Sequence, residues 1–230
     1  MSGDKMTCRT VNPIKLFFIF LVMFLGLPKA YSQSLEAQFI GNEAFRITDG
    51  KTILMTDFPY KSGAYDYMEY EFDFSGTTGT VLSLITHRHD DHFAPVLFAN
   101  QGWYILGPGE VTVGLPQNRL LPFSEKVIFE PLTIWPKKST HGNTEHYSYL
   151  VDWSGRKLFF TGDTEDLAVL KDLPELNALF ITPWFYRKAK LNDALPESKK
   201  IIIYHHLEND IVPECLGCII PMQNEYIEIN

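Results

Sequence analysis

Three histidines and two aspartates stand within one six-residue segment, His87-Arg88-His89-Asp90-Asp91-His92. Neutral imidazole nitrogens and carboxylate oxygens are common zinc ligands, at about 2.0–2.2 Å from the ion. His87 and His89 can direct their nitrogens at one ion, while Asp91 and His92 turn toward a second position beside it. An isolated histidine would be interpreted as a hydrogen-bonding group of a solvated loop. Five ligand-type side chains so close together instead predict a metal site.

Three later segments add further ligand-type side chains in places where a strand is expected to give way to a loop. They are Thr140-His141-Gly142, Thr161-Gly162-Asp163-Thr164 and Tyr204-His205-His206. The last two follow apolar segments at residues 157–160 and 201–203, and the histidine-rich segment follows another at residues 81–86. Short apolar, β-rich segments predict buried strands, and rigid strands fix the loops that follow them. We therefore expect these strand ends to converge on one edge of a sandwich.

The remaining elements are predicted more coarsely. Strands are expected at residues 147–151 and 178–182, and helices at residues 94–100 and 165–172. Several aromatic residues near the motifs could line a pocket or pack in the core, and core packing is the commoner fate. They are Tyr60, Tyr65, Tyr67, Phe93, Trp184, Phe185 and Tyr186.

The order of these motifs resembles that of the metallo-β-lactamase superfamily of hydrolases: HxHxDH, a single His, Gly-Asp-Thr, then a His after an apolar strand. The resemblance runs from about Phe39 to the C-terminus and includes an opening hairpin at residues 39–54, with Asp49-Gly50 as its turn. Asp57 then matches an acidic residue expected to orient a ligand imidazole. The resemblance implies an α/β fold, the four-layer αββα sandwich, and is closest to the compact lactonase-type branch.

The resemblance also implies two metal ions, normally zinc, with iron or manganese as alternatives. The implied ligands are His87, His89 and His141 for the first ion, Asp91, His92 and His205 for the second, and Asp163 as the bridge. A hydroxide shared by the ions would be the nucleophile, because metal-bound water ionises near pH 7 instead of about 15.7.

Two ligand positions have competitors in the sequence. His146 competes with His141, which is favoured because it precedes the strand at residues 147–151. His146 borders that strand and could enter the cleft as an acid or substrate ligand. His206 competes with His205, but it should point to the opposite side of the chain. The candidate catalytic residues are Asp91 and His146.

The N-terminal segment predicts export. Lys5, Arg9 and Lys15 lead into an apolar run at residues 16–27, and Ala30-Tyr31-Ser32 fits a signal peptidase site. We predict a secretory signal peptide over residues 1–32, a hydrolase domain over residues 33–230, and a secreted or periplasmic location. The apolar run is shorter than the roughly 18 residues of a membrane span, so no stable membrane insertion is expected after cleavage. An uncleaved anchor is the alternative.

The net charge of the chain indicates which kinds of partner it can bind. The chain carries 28 Asp and Glu against 20 Lys and Arg, a net charge of −8. Residues 1–32 carry four basic residues and one Asp, a net charge of +3, so the chain without them would carry −11. An acidic surface repels phosphate backbones, which argues against a nucleic-acid partner. We expect a small-molecule ester, lactone, amide or phosphodiester as substrate; the alternatives are a β-lactamase or thioesterase-type member and a non-catalytic zinc-binding or sensing module.

The pair Cys215 and Cys218 stands near the C-terminus in a CxxC arrangement. A zinc ribbon needs a second such pair, which the sequence lacks. The pair is therefore interpreted as a disulfide or as two inert thiols.

Overall fold

The computed structural model describes residue 3, residues 34–207, residue 212 and residues 215–230. The predicted signal peptide over residues 1–32 lies outside the described residues, apart from Gly3. None of the described helices is long and apolar enough to cross a membrane. Twelve strands in the described part of the chain form two six-stranded sheets.

The first sheet has the order β12-β1-β2-β3-β4-β5. Its strands are β1 Leu35–Gly41, β2 Ala44–Thr48, β3 Thr52–Thr56, β4 Thr80–Leu84, β5 Tyr104–Leu106 and β12 Tyr226–Ile229. The strands from β12 to β3 are antiparallel, whereas β3, β4 and β5 are parallel. The predicted turn at Asp49-Gly50 is confirmed between β2 and β3, where Asp49 Oδ1 accepts hydrogen bonds from the backbone N–H groups of Lys51 and Thr52.

The second sheet has the order β11-β10-β9-β8-β7-β6. Its strands are β6 Val127–Phe129, β7 Leu132–His141, β8 Thr144–Trp153, β9 Arg156–Phe160, β10 Ala178–Ile181 and β11 Ile201–Ile203. The strands from β6 to β9 are antiparallel, and β9, β10 and β11 are parallel. The two long strands β7 and β8 form a hairpin whose tip reaches the edge where the parallel strands end.

Apolar side chains divide the molecule into layers. The facing sides of the two sheets bury one core, in which Phe45 of β2 packs edge-on against Phe180 of β10 with ring centroids 5.0 Å apart. Helices α1 (Pro95–Ala99) and α2 (Gly109–Thr112) bury Phe98 and Val111 against the outer face of the first sheet. Helix α3 (Pro183–Leu191) buries Phe185 against the outer face of the second. These layers confirm the predicted αββα sandwich.

The helix predicted at residues 94–100 is confirmed as α1, but the helix predicted at residues 165–172 is wrong. A short 3₁₀ helix, Leu167–Leu170, stands there instead. Asp166 Oδ1 accepts the backbone N–H of Ala168, and Thr164 Oγ1 accepts the backbone N–H of Asp166. Such local side-chain acceptors compete with the helical hydrogen bonds. Three other 3₁₀ helices are Ala64–Asp66, Phe74–Gly76 and Gln117–Arg119.

Candidate metal centre

The seven predicted ligands meet at one edge of the two sheets. The first sheet supplies the histidine-rich segment just after β4, and the second supplies Asp163 after β9, His205 after β11 and His141 at the end of β7. Ligand atoms of His87, His89, His141 and Asp163 all lie within 4.8 Å of one another. Those of Asp91, His92 and His205 form a second set by the same measure. Apart from Asp163, which falls in the first group, the members of each group are those that the resemblance implies for each ion.

Asp163 lies between the two sets. Its carboxylate oxygens are 3.2 Å from His205 Nε2 and 3.3 Å from His92 Nε2 on one side. On the other side they are 3.7 Å from His141 Nε2 and 3.9 Å from His87 Nε2. Burial opposes ionisation of this carboxyl, but the facing imidazoles of His205 and His92 hold its pKa well below the usual range. Asp163 is therefore an anion facing four imidazoles.

The histidines of the first set lie close together, and two of them have lowered pKa values. His87 is fully buried, and its Nε2 lies 2.9 Å from Nδ1 of His89. The ring of His141 is 4.8 Å from that of His87 and 5.1 Å from that of His89. Burial lowers the pKa of both His87 and His89, and the neighbouring histidines add to the effect. The neutral form is the one that binds metal ions.

The second set is fixed from the turn between β1 and β2. Asp91 Oδ2 lies 3.5 Å from His205 Nε2 and 3.6 Å from His92 Nε2. Asn42 Nδ2 donates a 2.7 Å hydrogen bond to the backbone carbonyl of Asp91, and the backbone N–H of His205 donates a 2.7 Å bond to the carbonyl of Asn42. His205 has a φ of +57°, an uncommon conformation for a residue other than glycine. Asn42 therefore holds the backbone of two of the three residues of this set at one turn.

Two buried carboxyl groups lie behind His92. Its Nδ1 lies 3.3 Å from Asp57 Oδ2 and 3.3 Å from Glu43 Oε2, so its Nε2 faces Asp163 and Asp91. Asp57 is placed as expected, and it also accepts the backbone N–H of Thr86 at 2.7 Å. Glu43 is fully buried, and burial together with Asp163 raises the pKa of its carboxyl well above the usual value.

Glu43 was missed by the sequence analysis. It belongs to the tight turn between β1 and β2, where a glutamate is normally interpreted as an exposed turn residue. The signal that could have found it is its position in a hairpin turn that the sheet directs at the edge where the other motifs gather. Its burial follows from that direction, because the histidine-rich segment covers the turn.

His146 does not face the cleft. It is fully buried within β8, opposite Ser139 of β7, and its Nδ1 lies 2.7 Å from Ser139 Oγ. Its Nε2 accepts the backbone N–H of Asp163 at 3.0 Å, and burial lowers its pKa to about 4. The predicted role of His146 as an acid or substrate ligand in the cleft does not fit this placement, because both ring nitrogens are engaged. Its neutral ring instead supports the turn that carries Asp163.

Gly162 allows the ring of His146 to lie close to the turn that carries Asp163. Its φ is +61°, and a Cβ at this position would lie 2.5 Å from His146 Nε2 and 2.9 Å from Thr86 Cβ. Only a residue without a side chain fits between the two. The Gly-Asp pair of the sequence motif is thus explained by the packing of His146 against the turn.

His206 belongs to neither ligand set. Its ring is buried and stacks on Phe39 with centroids 6.1 Å apart, and its Nδ1 lies 3.0 Å from the carbonyl of Leu207. It therefore lies outside both ligand sets, as expected, and its ring is buried.

A cavity of about 330 Å³ opens beside the second set and includes His205 in its lining. The Tyr67 ring lies 4.3 Å from the His205 ring, and the Trp184 ring lies 5.1 Å from it on another side. Tyr65 lies near the first set, with its ring 6.4 Å from that of His89. The other aromatic candidates, Tyr60, Phe93, Phe185 and Tyr186, are buried in the core.

A second cavity, of about 920 Å³, is larger but lies farther from this chemistry. Its lining includes Met68, His206, Met222 and Gln223, and none of the seven ligand residues. Of these two cavities, the smaller is the one whose lining includes a predicted ligand, His205.

The CxxC pair lies apart from the ligand sets. Cys215 and Cys218 form a disulfide, with Cα atoms 5.4 Å apart. The two interpretations offered by the sequence are thereby reduced to the disulfide. Ile219, the next residue, pairs with Ile202 of β11.

Comparison with known proteins identifies the fold. No protein-family model matches the chain, and no curated protein sequence does. Among solved structures, the chain is similar to Igni18, a metallo hydrolase from the archaeon Ignicoccus hospitalis, at 15% identity and a TM-score of 0.63 over 86% of this chain and 99% of that one. It is also similar to an isothiocyanate hydrolase from Delia radicum gut bacteria, at 11% identity and a TM-score of 0.62 over 84% and 99%.

A third similar structure is described as having the metallo-β-lactamase fold. The metallo-β-lactamase fold protein YhfI from Bacillus subtilis matches at 12% identity and a TM-score of 0.59, over 85% of this chain and 99% of that one. The protein therefore has a two-sheet αββα architecture with a His- and Asp-rich edge. This architecture is the metallo-β-lactamase fold.

Proposed function

We propose that the protein is a metal-dependent hydrolase that uses two divalent transition-metal ions, zinc in the first instance with iron or manganese as alternatives. The observation that carries the proposal is the position of Asp163, whose carboxylate lies between two sets of ligand-type side chains. The fold supports the same class, because Igni18 and the isothiocyanate hydrolase that share it are hydrolases.

The residues fit the proposed ions. Two ligands at about 2.0–2.1 Å from one tetrahedral ion lie about 3.4 Å apart. The distances of Asp163 to its four imidazoles, 3.2 to 3.9 Å, bracket this value. Asp91 Oδ1, Asp163 Oδ1 and His92 Nε2 are also buried without a hydrogen bond. Buried polar atoms without a partner are costly, so a bound cation gives these atoms a favourable role.

Bound ions of this kind act as Lewis acids and lower the pKa of a coordinated water to about 7. The chain supplies the rest of the arrangement. Glu43 and Asp57 place carboxyl oxygens 3.3 Å from Nδ1 of His92, while Nε2 on the other side of the ring faces Asp163. His146 holds the backbone of Asp163, and Tyr67 covers one side of His205. These contacts fix ligand directions before a substrate arrives.

A small ester, lactone, amide or phosphodiester is the proposed substrate. A cavity of about 330 Å³ suits a compact organic molecule. The net charge of −8 disfavours nucleic acid, since phosphate backbones need Lys and Arg for neutralisation. The cavity also weighs against a module that only stores or senses zinc, because a storage site does not need an open approach to its ligands.

The test compares zinc-loaded and metal-stripped protein on nitrophenyl esters, lactones, amides and bis(4-nitrophenyl) phosphate. Asp163→Asn should abolish hydrolysis and bind less metal. Asp90→Asn is the matched control, because Asp90 is a nearby exposed carboxylate paired only at the surface, 3.7 Å from Lys61 Nζ. Two bound ions without hydrolysis of any of these compounds would favour the non-catalytic alternative. Efficient cleavage of RNA or single-stranded DNA alone would overturn the proposed substrate class.

A further inference from the structure

The open face of α3 contributes to the 330 Å³ cavity. Phe185, Tyr186 and Ala189 turn inward to the core, whereas Trp184 and Arg187 line the cavity together with His205. Residues three apart on a helix lie on the same side, so Trp184 and Arg187 present a ring and a guanidinium to the same space. The indole ring contacts His205, with centroids 5.1 Å apart. The cavity lining therefore contains both His205, a predicted metal ligand, and the cationic side chain of Arg187.

Arg187 differs from the other cations of α3. Lys188 Nζ lies 3.5 Å from Glu165 Oε2, and Lys190 Nζ stands 5.7 Å from the Tyr186 ring centroid. The guanidinium of Arg187 forms no ion pair or hydrogen bond with any described residue. In a chain with eight more acidic than basic residues, a guanidinium that lies beside the cavity and has no partner among the described residues suggests that its partner comes with a ligand.

We propose that the cavity binds small acyl compounds that carry one carboxylate, with Arg187 binding that carboxylate and the rings of Tyr67 and Trp184 packing against the carbon chain. This inference rests on the proposed hydrolase function and narrows its substrate class. Guanidinium groups match carboxylates with two parallel hydrogen bonds. The lining contains one other charged side chain, the carboxylate of Asp66, so the described wall suits a single negative charge better than a phosphate dianion.

Binding is the direct test, because it does not require turnover. Isothermal titration of the zinc-loaded protein would compare 4-phenylbutyrate, its neutral amide and 3-phenylpropyl phosphate. Arg187 is exposed, and water weakens its pairing, so we expect the carboxylate to bind about tenfold more tightly than the amide, and at least as tightly as the phosphate. Arg187→Ala and Arg187→Gln should both remove the preference. Lys188→Ala, which removes the neighbouring charge from the same helix, should keep it.

Equal binding of carboxylate and amide by the wild type, or binding of neither, would overturn the inference. So would a preference retained in both Arg187 variants, which would place the carboxylate on the ions instead. Tighter binding of the phosphate would refute the single-charge argument. Hydrolysis of 4-nitrophenyl butyrate and mono(4-nitrophenyl) glutarate separates this inference from the proposed function. Arg187-dependent binding without hydrolysis of either ester would sustain the inference and count against the function, whereas equal hydrolysis of both esters by wild type and Arg187→Ala would do the reverse.

Discussion

Gly162→Ala should be among the most damaging single-methyl changes at the metal centre. A Cβ at Gly162 would lie 2.5 Å from His146 Nε2 and 2.9 Å from Thr86 Cβ, while ordinary contacts begin at 3.4 Å. The ring of His146 would have to move by nearly an ångström and would lose the 3.0 Å hydrogen bond from the backbone N–H of Asp163. Overpacking of this kind costs about 1–3 kcal/mol. The lost hydrogen bond adds about 1 kcal/mol.

The left-handed backbone adds its own cost, and a matched glycine isolates it. Gly162 has a φ of +61°, and an alanine there costs roughly 1–2 kcal/mol. Gly142, at the tip of the β7–β8 hairpin, has a φ of +52° and nothing within 4 Å of its Cβ position. Gly142→Ala should therefore show the backbone cost alone, about 1–2 kcal/mol, against about 3–6 kcal/mol for Gly162→Ala.

Urea unfolding of the metal-stripped proteins measures this difference without a contribution from bound ions. With a slope of about 2 kcal/mol per molar urea, the midpoint should fall by about 2 M for Gly162→Ala and by less than about 1 M for Gly142→Ala. Equal losses in the two variants would refute the argument that His146 and Thr86 leave no room at Gly162. The double variant Gly162→Ala with His146→Ala should recover part of the loss, since it removes the ring that the methyl group meets.

Three other outcomes follow from the site and the sequence. His141→Ala should lower the chelator concentration that removes metal far more than His146→Ala does, because Nε2 of His141 faces the carboxylate of Asp163 whereas Nε2 of His146 accepts its backbone N–H; the reverse order in a chelator titration would contradict the ligand sets. Glu43→Ala should weaken retention of one ion by about 10-fold or more and leave the other unchanged, since it removes one of two carboxylates behind His92; unchanged retention of both ions would refute that role. The exported protein should begin at Gln33 on N-terminal sequencing, and a start at Met1 or Met6 in protein from the native envelope would contradict the predicted signal peptide.

The αββα fold and the two ligand sets were predicted through the motif resemblance, whereas local patterns predicted that the loops carrying the motifs follow strands and meet at one edge. Apolar strands followed by His- or Asp-bearing loops place those loops at strand ends, and parallel strands align their ends at one edge. The histidine-rich segment contains five ligand-type residues within six positions, so its role at a metal site could be predicted from that segment alone. His141 and Asp163 required only that two further strand ends reach the same edge.

Features that depend on packing between distant segments were harder to predict. Glu43 is buried because the histidine-rich segment covers its turn, a contact between residues far apart in the chain. His146 was placed wrongly because β8 begins at Thr144, so the residue lies inside a strand and faces Ser139 instead of the cleft. Whether an aromatic residue lies in the core or at the cavity depends on the side of its helix or strand that it occupies. Trp184 and Phe185 are neighbours on α3, yet Trp184 lines the cavity and Phe185 is buried in the core.

Elemental analysis of metal-replete protein tests the central claim most directly. Asp163 and the six nitrogen and oxygen ligands around it predict two transition-metal ions per chain, most of them zinc. The Asp163→Ala variant should retain no more than one, while Asp90→Ala retains two. A wild-type protein that holds at most one ion per chain when supplied with excess metal would contradict the two-ion site and the hydrolase proposed from it.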